Sequence, residues 1–128
     1  MLVSFFVERN DNQRAAGKAL LLSAEEGEII AVVPQFVLFE IAYVLDSFYN
    51  VPPTKIGDAI RATVTYPGVI ITDDCSWLRI LDNWPEPLAS ITDAAIAGVA
   101  LTNNYDSVAT FDQKLIRRMK ALGVRSYF

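Results

Sequence analysis

Ser107-Val108-Ala109-Thr110-Phe111-Asp112 runs directly into Gln113-Lys114-Leu115-Ile116-Arg117-Arg118-Met119, and the join between the two decides how the chain is read. The first half is small or β-preferring and ends in an aromatic residue and a carboxylate. The second half has helical spacing. A short strand therefore ends where an acid and the Thr110 hydroxyl emerge, at the mouth of a strand-to-helix turn. In open α/β sheets ligands and chemistry collect at that carboxyl-end crevice. The commoner role for such an aspartate is to cap the helix that follows, since Asp is among the best N-cap residues. Whether other carboxylates converge on the same point separates the two roles.

Outward from this join the pattern alternates. Glu28-Ile29-Ile30-Ala31-Val32-Val33 is a continuous β-branched run closed by Pro34, as expected of a strand buried on both faces of a parallel sheet. Val69-Ile70-Ile71-Thr72 is a second such run. Helices are expected over Gln13–Glu26, with Gly27 as its stop, and over Gln35–Tyr49 and Thr54–Tyr66. Three more are expected over Cys75–Trp84, capped by Asp73-Asp74, over Ile91–Leu101, and from Gln113 to near Gly123. Met1–Arg9 reads as a first helix or strand, and Asn10-Asp11-Asn12 as a polar break. Three short apolar strands separated by helices predict an α/β fold with parallel pairing. With 128 residues and no repeat, low-complexity segment or linker, the expectation is one domain.

Composition narrows the chemistry. The chain is 52% hydrophobic with a net charge of −4, so a nucleic-acid partner would have to be met by a local basic patch against the overall field. No apolar run reaches the ~20 residues needed to span a membrane. Met1–Val7 lacks the basic flank of a secretion signal, and the single cysteine, Cys75, forbids an internal disulfide; a cytoplasmic protein is expected. There are no histidines. That excludes Ser-His-Asp and Cys-His nucleophiles and a Cys/His zinc site. An enzyme built from this chain works with carboxylates, hydroxyls, lysines or a bound ion, and carboxylates suit hard cations such as Mg²⁺ and Mn²⁺.

Two further acids stand out. Glu40 lies on a helical wheel between Phe36 and Val44 and beside Val37, so it points from an apolar face and calls for a salt-bridge partner or an ion. Asp93 falls in the first turn of a helix rich in small residues, Ala94, Ala95, Ala97, Gly98 and Ala100. Dipole compensation is its ordinary role, but small residues would let that helix pack closely on a sheet and bring Asp93 towards Asp112. Acids on separate segments make a metal cage of the kind that two-metal phosphodiester cleavage uses, and no histidine is needed.

Pro34-Gln-Phe-Val-Leu-Phe-Glu40-Ile-Ala-Tyr-Val-Leu45, then Ile91-Thr-Asp93-Ala-Ala-Ile-Ala, then Val108-Ala-Thr-Phe-Asp112 resembles the ordered motif set of PIN domains, in particular the VapC-type toxins of bacterial toxin–antitoxin pairs. Asn10-Asp-Asn-Gln-Arg-Ala-Ala resembles the segment linking their first two helices. The resemblance implies a three-layer α/β fold, a short parallel sheet flanked by helices. It also implies a Mg²⁺- or Mn²⁺-dependent ribonuclease whose metal ligands here are Glu40, Asp93 and Asp112. Thr110 would be the hydroxyl that helps position metal-bound water. A homodimer and a cognate antitoxin that blocks the site are implied as well.

One departure concerns the first metal ligand, an aspartate in a strand ending Asp-x-Asn. Leu2-Val3-Ser4-Phe5-Phe6 falls just after that motif, and neither Glu8 nor Asp11 substitutes simply. Two explanations follow: a start upstream of Met1, or a degenerate PIN-like domain that binds RNA or antitoxin without cutting. Lys114, Arg117 and Arg118 share a side of the last helix. They are candidates for RNA phosphate contacts, which position a substrate without reading its sequence, as well as for an ordinary solvated face. Trp77 and Trp84 are expected in a core or interface rather than stacking bases. A response-regulator-like domain is disfavoured because no early acidic pair is present.

Overall fold

A computed structural model describes residues 11–128; the expectations for Met1–Arg9, including Leu2–Phe6 and Glu8, and for Asn10 lie outside them. The described chain divides after Asp73 into two compact units. In the first, α1 spans Asp11–Glu25, β1 Ala31–Pro34, α2 Gln35–Ser47, α3 Pro53–Val64 and β2 Val69–Thr72. In the second, α4 spans Trp77–Asp82, α5 Ile91–Thr102 and α6 Gln113–Ala121. Asp11 and Asn12 begin α1 instead of breaking the chain.

The first unit carries the α/β character. β1 and β2 pair in parallel, Ala31 opposite Val69 through Pro34 opposite Thr72. Parallel neighbours need a crossover rather than a hairpin, and α2 and α3 together supply it. α2 packs on β1, α3 on β2, and the two helices on each other. Their shared core is Ile41, Leu45 and Ile56, with Val37, Ala42, Tyr49, Val51 and Ile60 around it. The bend between the helices is closed by the Val51 N–H donating to the Leu45 carbonyl at 2.9 Å. Pro53 opens α3 at a position where no intrahelical donor is lost. The strands are half-buried, and Ile70 is 51% exposed. The expectation that Glu28–Val33 is buried on both faces is corrected: β1 is half-buried throughout, and Ile30 just before it is 70% exposed.

The turn into β2 is fixed by α1. Gly68 has φ +81°, and a Cβ there would collide with the Ala24 carbonyl. Only glycine combines that backbone with so close an approach. Beside it the Tyr66 hydroxyl donates to Glu25 Oε2 at 3.1 Å. Desolvation first, and then the Glu25 carboxylate as acceptor and as a negative charge, hold the phenol above its ordinary value.

The second unit is helical. α4 packs against α5, and the approach is close at Gly98, where a Cβ would stand 3.3 Å from Ile80 Cγ1. The small-residue helix therefore fits closely against a helix, where the sequence led us to expect a sheet. Ala94, Ala95, Ala97, Gly98, Val99 and Ala100 are all buried. Asp73-Asp74 does not cap α4. Ser76 occupies the N-cap position, without a side-chain cap bond.

The segment expected to form a third strand does not join a sheet of its own unit. Val108 makes a single parallel bridge to Ser126. Its N–H donates to the Arg125 carbonyl at 2.9 Å, and its carbonyl accepts from the Tyr127 N–H at 2.9 Å. This clip fastens the run before Asp112 to residues 125–127. No described helix is long and apolar enough to cross a membrane.

Candidate functional site

Asp112 sits at the N-cap of α6, in extended backbone. One carboxylate oxygen, Oδ1, accepts from the Lys114 N–H at 2.9 Å and the Leu115 N–H at 3.1 Å. Two otherwise orphaned helix donors are satisfied in this way. The Asp112 N–H in turn donates to Thr110 Oγ1 at 3.2 Å. Thr110 is half-buried and Asp112 exposed, and the bond that links them runs through the Asp112 main chain, not its carboxylate. Capping is thus an observed role of Asp112. Its recorded bonds all fall on Oδ1, and a carboxylate has a second oxygen to offer.

Asp93 occupies the third position of α5. Its N–H donates to Ser90 Oγ at 3.3 Å, the first half of a capping box. Its half-buried carboxylate stands in the first turn, where the helix dipole favours negative charge.

Glu40 departs from its expectation. It lies on α2 in the first unit and is exposed. The buried side of α2 is Ile41 and Leu45, while Phe39 and Tyr43 point outward, 75% and 64% exposed. The apolar face that carries Glu40 is therefore largely an outer face. A wheel that is apolar nearly all round does not say which side turns inward; the α3 and β1 contacts make that choice.

The acids are thus divided between the units, Glu40 in the first and Asp93 and Asp112 in the second. The described residues contain no group of three or more Asp, Glu or Cys side chains placed to hold a metal ion. The donor types suit Mg²⁺ or Mn²⁺, being hard oxygens throughout. Of the expected ligands, the second unit holds Asp93, Asp112 and the Thr110 hydroxyl, and one oxygen of Asp112 is taken by the α6 cap.

α6 has one buried and one basic side. Leu115 and Met119 are buried, while Lys114, Arg117 and Lys120 are exposed and Arg118 is half-buried. The basic side chains begin two residues after Asp112. Residues 111–128 hold five of the 11 basic groups in the chain and one of its 15 acids. The tryptophans are more open than expected for core residues. Trp77 is 58% exposed and Trp84 37%, with the Trp84 indole donating to the Ala89 carbonyl at 3.0 Å.

One group escaped the sequence reading. Phe111 and Phe128 stack with centroids 4.4 Å apart and 18° between planes, and Tyr127 meets Phe128 edge-on at 5.3 Å. The available signal was a pair of aromatics ending a basic segment. What joins them to Phe111 is the Val108–Ser126 bridge, a non-local pairing that no periodicity reports.

No protein-family profile, curated protein or solved structure matches the chain.

Proposed function

We propose that this chain is a PIN-like domain that hydrolyses RNA phosphodiester bonds with Mg²⁺ or Mn²⁺, as the toxin of a toxin–antitoxin pair. The observation that carries the reading is Asp112: an exposed residue whose N–H donates to the Thr110 hydroxyl, opening a helix whose outer side is basic. A phosphodiester needs cationic groups to hold its phosphates and acids to hold the ions that activate water. Residues 110–118 supply both kinds. Asp93 and Glu40 are the further acids of the ordered motif set, and the lack of histidine leaves carboxylate and metal chemistry as the economical route. A homodimer, a cognate antitoxin and a cytoplasmic setting belong to the same reading.

The observed capping role of Asp112, whose Oδ1 is already held by two N–H groups of α6, favours a second reading. In that case a catalytically impaired PIN-like domain binds RNA or an antitoxin without cutting. One experiment separates the two. Purified protein is incubated with RNA and Mg²⁺ or Mn²⁺, alongside Asp93→Asn and Asp112→Asn. The nuclease reading expects cleavage by the parent and none by either variant. RNA that is bound but stays intact at every metal concentration supports the binding module and removes the nuclease.

A further inference from the structure

We infer that Phe111, Tyr127 and Phe128 form a stacking platform for an unpaired base, making single-stranded nucleic acid the ligand class of this end of the molecule. The inference rests on the RNA reading of α6 and adds to it what the strand must look like. It begins with the clip. The two hydrogen bonds between Val108 and residues 125 and 127 bring the segment before Asp112 alongside residues 125–127. Phe128 then lies flat on Phe111, the residue that precedes Asp112.

The cluster is not a core. Tyr127 and Phe128 keep 41% and 42% of their surface open, and Phe111 is half-buried. Rings held in place by one another while still open lose little freedom on meeting a ligand. Any base offers a π face to such rings, so the contact tolerates sequence. The charge around them selects the partner. The platform belongs to the segment that is rich in basic groups and nearly free of acids, in a chain whose overall charge is −4. Lys114 and Arg117 are exposed on the helix that starts two residues beyond Phe111. Cations for phosphates and open rings for bases, carried here on one short segment, are the two components of single-strand recognition. A duplex keeps its bases stacked on one another and offers them no such access.

The test measures binding apart from cleavage. A fluorescein-labelled oligouridylate of about ten nucleotides is titrated with the full chain in EDTA and followed by anisotropy, next to an RNA duplex of equal length. The parent should prefer the single strand. Phe128→Ala should weaken single-strand binding by roughly five- to a hundredfold, the range of base–aromatic stacking, and leave duplex binding unchanged. Phe128→Leu preserves apolar contact with Phe111 without a π face and should weaken binding comparably, whereas Phe128→Trp should retain it. Thermal melts of each variant register any loss of folding. Three results would each overturn the platform: unchanged affinity in Phe128→Ala and Phe128→Leu, equal affinity for duplex and single strand, or no RNA binding by the parent. A Phe128→Ala variant that melts earlier yet binds as the parent does makes the cluster a structural clip only. Cleavage in Mg²⁺ is scored separately. Cutting without a stacking effect removes the platform alone, and stacking without cutting removes the nuclease alone.

Discussion

Helices α2 and α6 present opposite cases of how sequence becomes surface. In α6 apolar and basic positions are segregated: Leu115 and Met119 are 4% and 0% exposed, while Lys114 and Arg117 lie open. Nothing but the chain's own periodicity is needed to orient it. In α2, Phe36, Val37, Phe39, Ile41, Tyr43, Val44 and Leu45, with Phe48 at the C-cap, leave almost no polar side to turn towards water. Its orientation comes from what it packs on, α3 and β1. The outcome is an outer face carrying Phe39, Tyr43 and Phe48, the last two in an edge contact at 6.4 Å, with Glu40 among them. Contrast along a helix makes its faces readable, and uniformity hands the choice to the neighbours.

The strongest way to break that comparison is to truncate both sides of α2. Leu45 is 1% exposed, so Leu45→Ala should lose about 2–5 kcal/mol, the sum of transfer and cavity terms. Phe39 is 75% exposed, and Phe39→Ala should stay within about 0.5 kcal/mol of the parent. Urea unfolding of the two variants checks both. Equal losses would mean that the outer face of α2 is covered in solution and that its orientation differs from the one described.

The same contrast explains what was legible. The helices stand within a few residues of their expected limits because caps and glycines are local signals: Asp112 for α6 and Gly27 after α1. Both long β-branched runs became strands, and parallel pairing followed from the helices between them. Val108–Thr110 has the composition of a strand but contributes a single bridge. Composition fixes the extended backbone, whereas the partner is a property of distant chain. Among the acids, Asp93 and Asp112 were placeable because helix starts are local. Glu40 was misjudged because burial on a helix without polar contrast is a tertiary fact.

A second comparison sets two close-approach glycines against each other, one in each unit. Gly68→Ala meets both a left-handed backbone and the Ala24 carbonyl. It should lose about 1–3 kcal/mol and loosen the turn into β2. Gly98→Ala crowds only Ile80 Cγ1, and it gains about 1 kcal/mol of helix propensity inside α5. The two effects nearly offset, and its unfolding midpoint should move little. A Gly68→Ala protein as stable as the parent would show that α1 does not hold the turn.

Asp112 allows capping to be separated from charge. Asn caps a helix about as well as Asp does. Asp112→Asn should therefore keep nearly full stability, while Asp112→Ala loses about 0.5–2 kcal/mol through the unsatisfied Lys114 and Leu115 N–H groups. On the nuclease reading both variants lose RNA cleavage. The measurement pairs thermal unfolding with an RNA cleavage assay. Activity retained in Asp112→Asn but lost in Asp112→Ala would assign Asp112 to capping alone.

The smallest effect belongs to Tyr66. Its phenol is held above the ordinary value of 10.0 by desolvation and by its bond to Glu25. A folded-state pKa above the unfolded one means that the folded chain keeps the proton more tightly. The resulting stability is fully present below about pH 10 and is lost as pH rises through the folded value. The pair lies at the surface, so the change is modest and screened by salt. Melting temperatures of the parent and Tyr66→Phe, followed from about pH 8 to about pH 11, should converge as the parent loses this contribution. Curves that run parallel throughout would remove the Glu25 bond as a tie between α1 and the turn before β2, leaving the Gly68–Ala24 approach to hold that corner of the first unit.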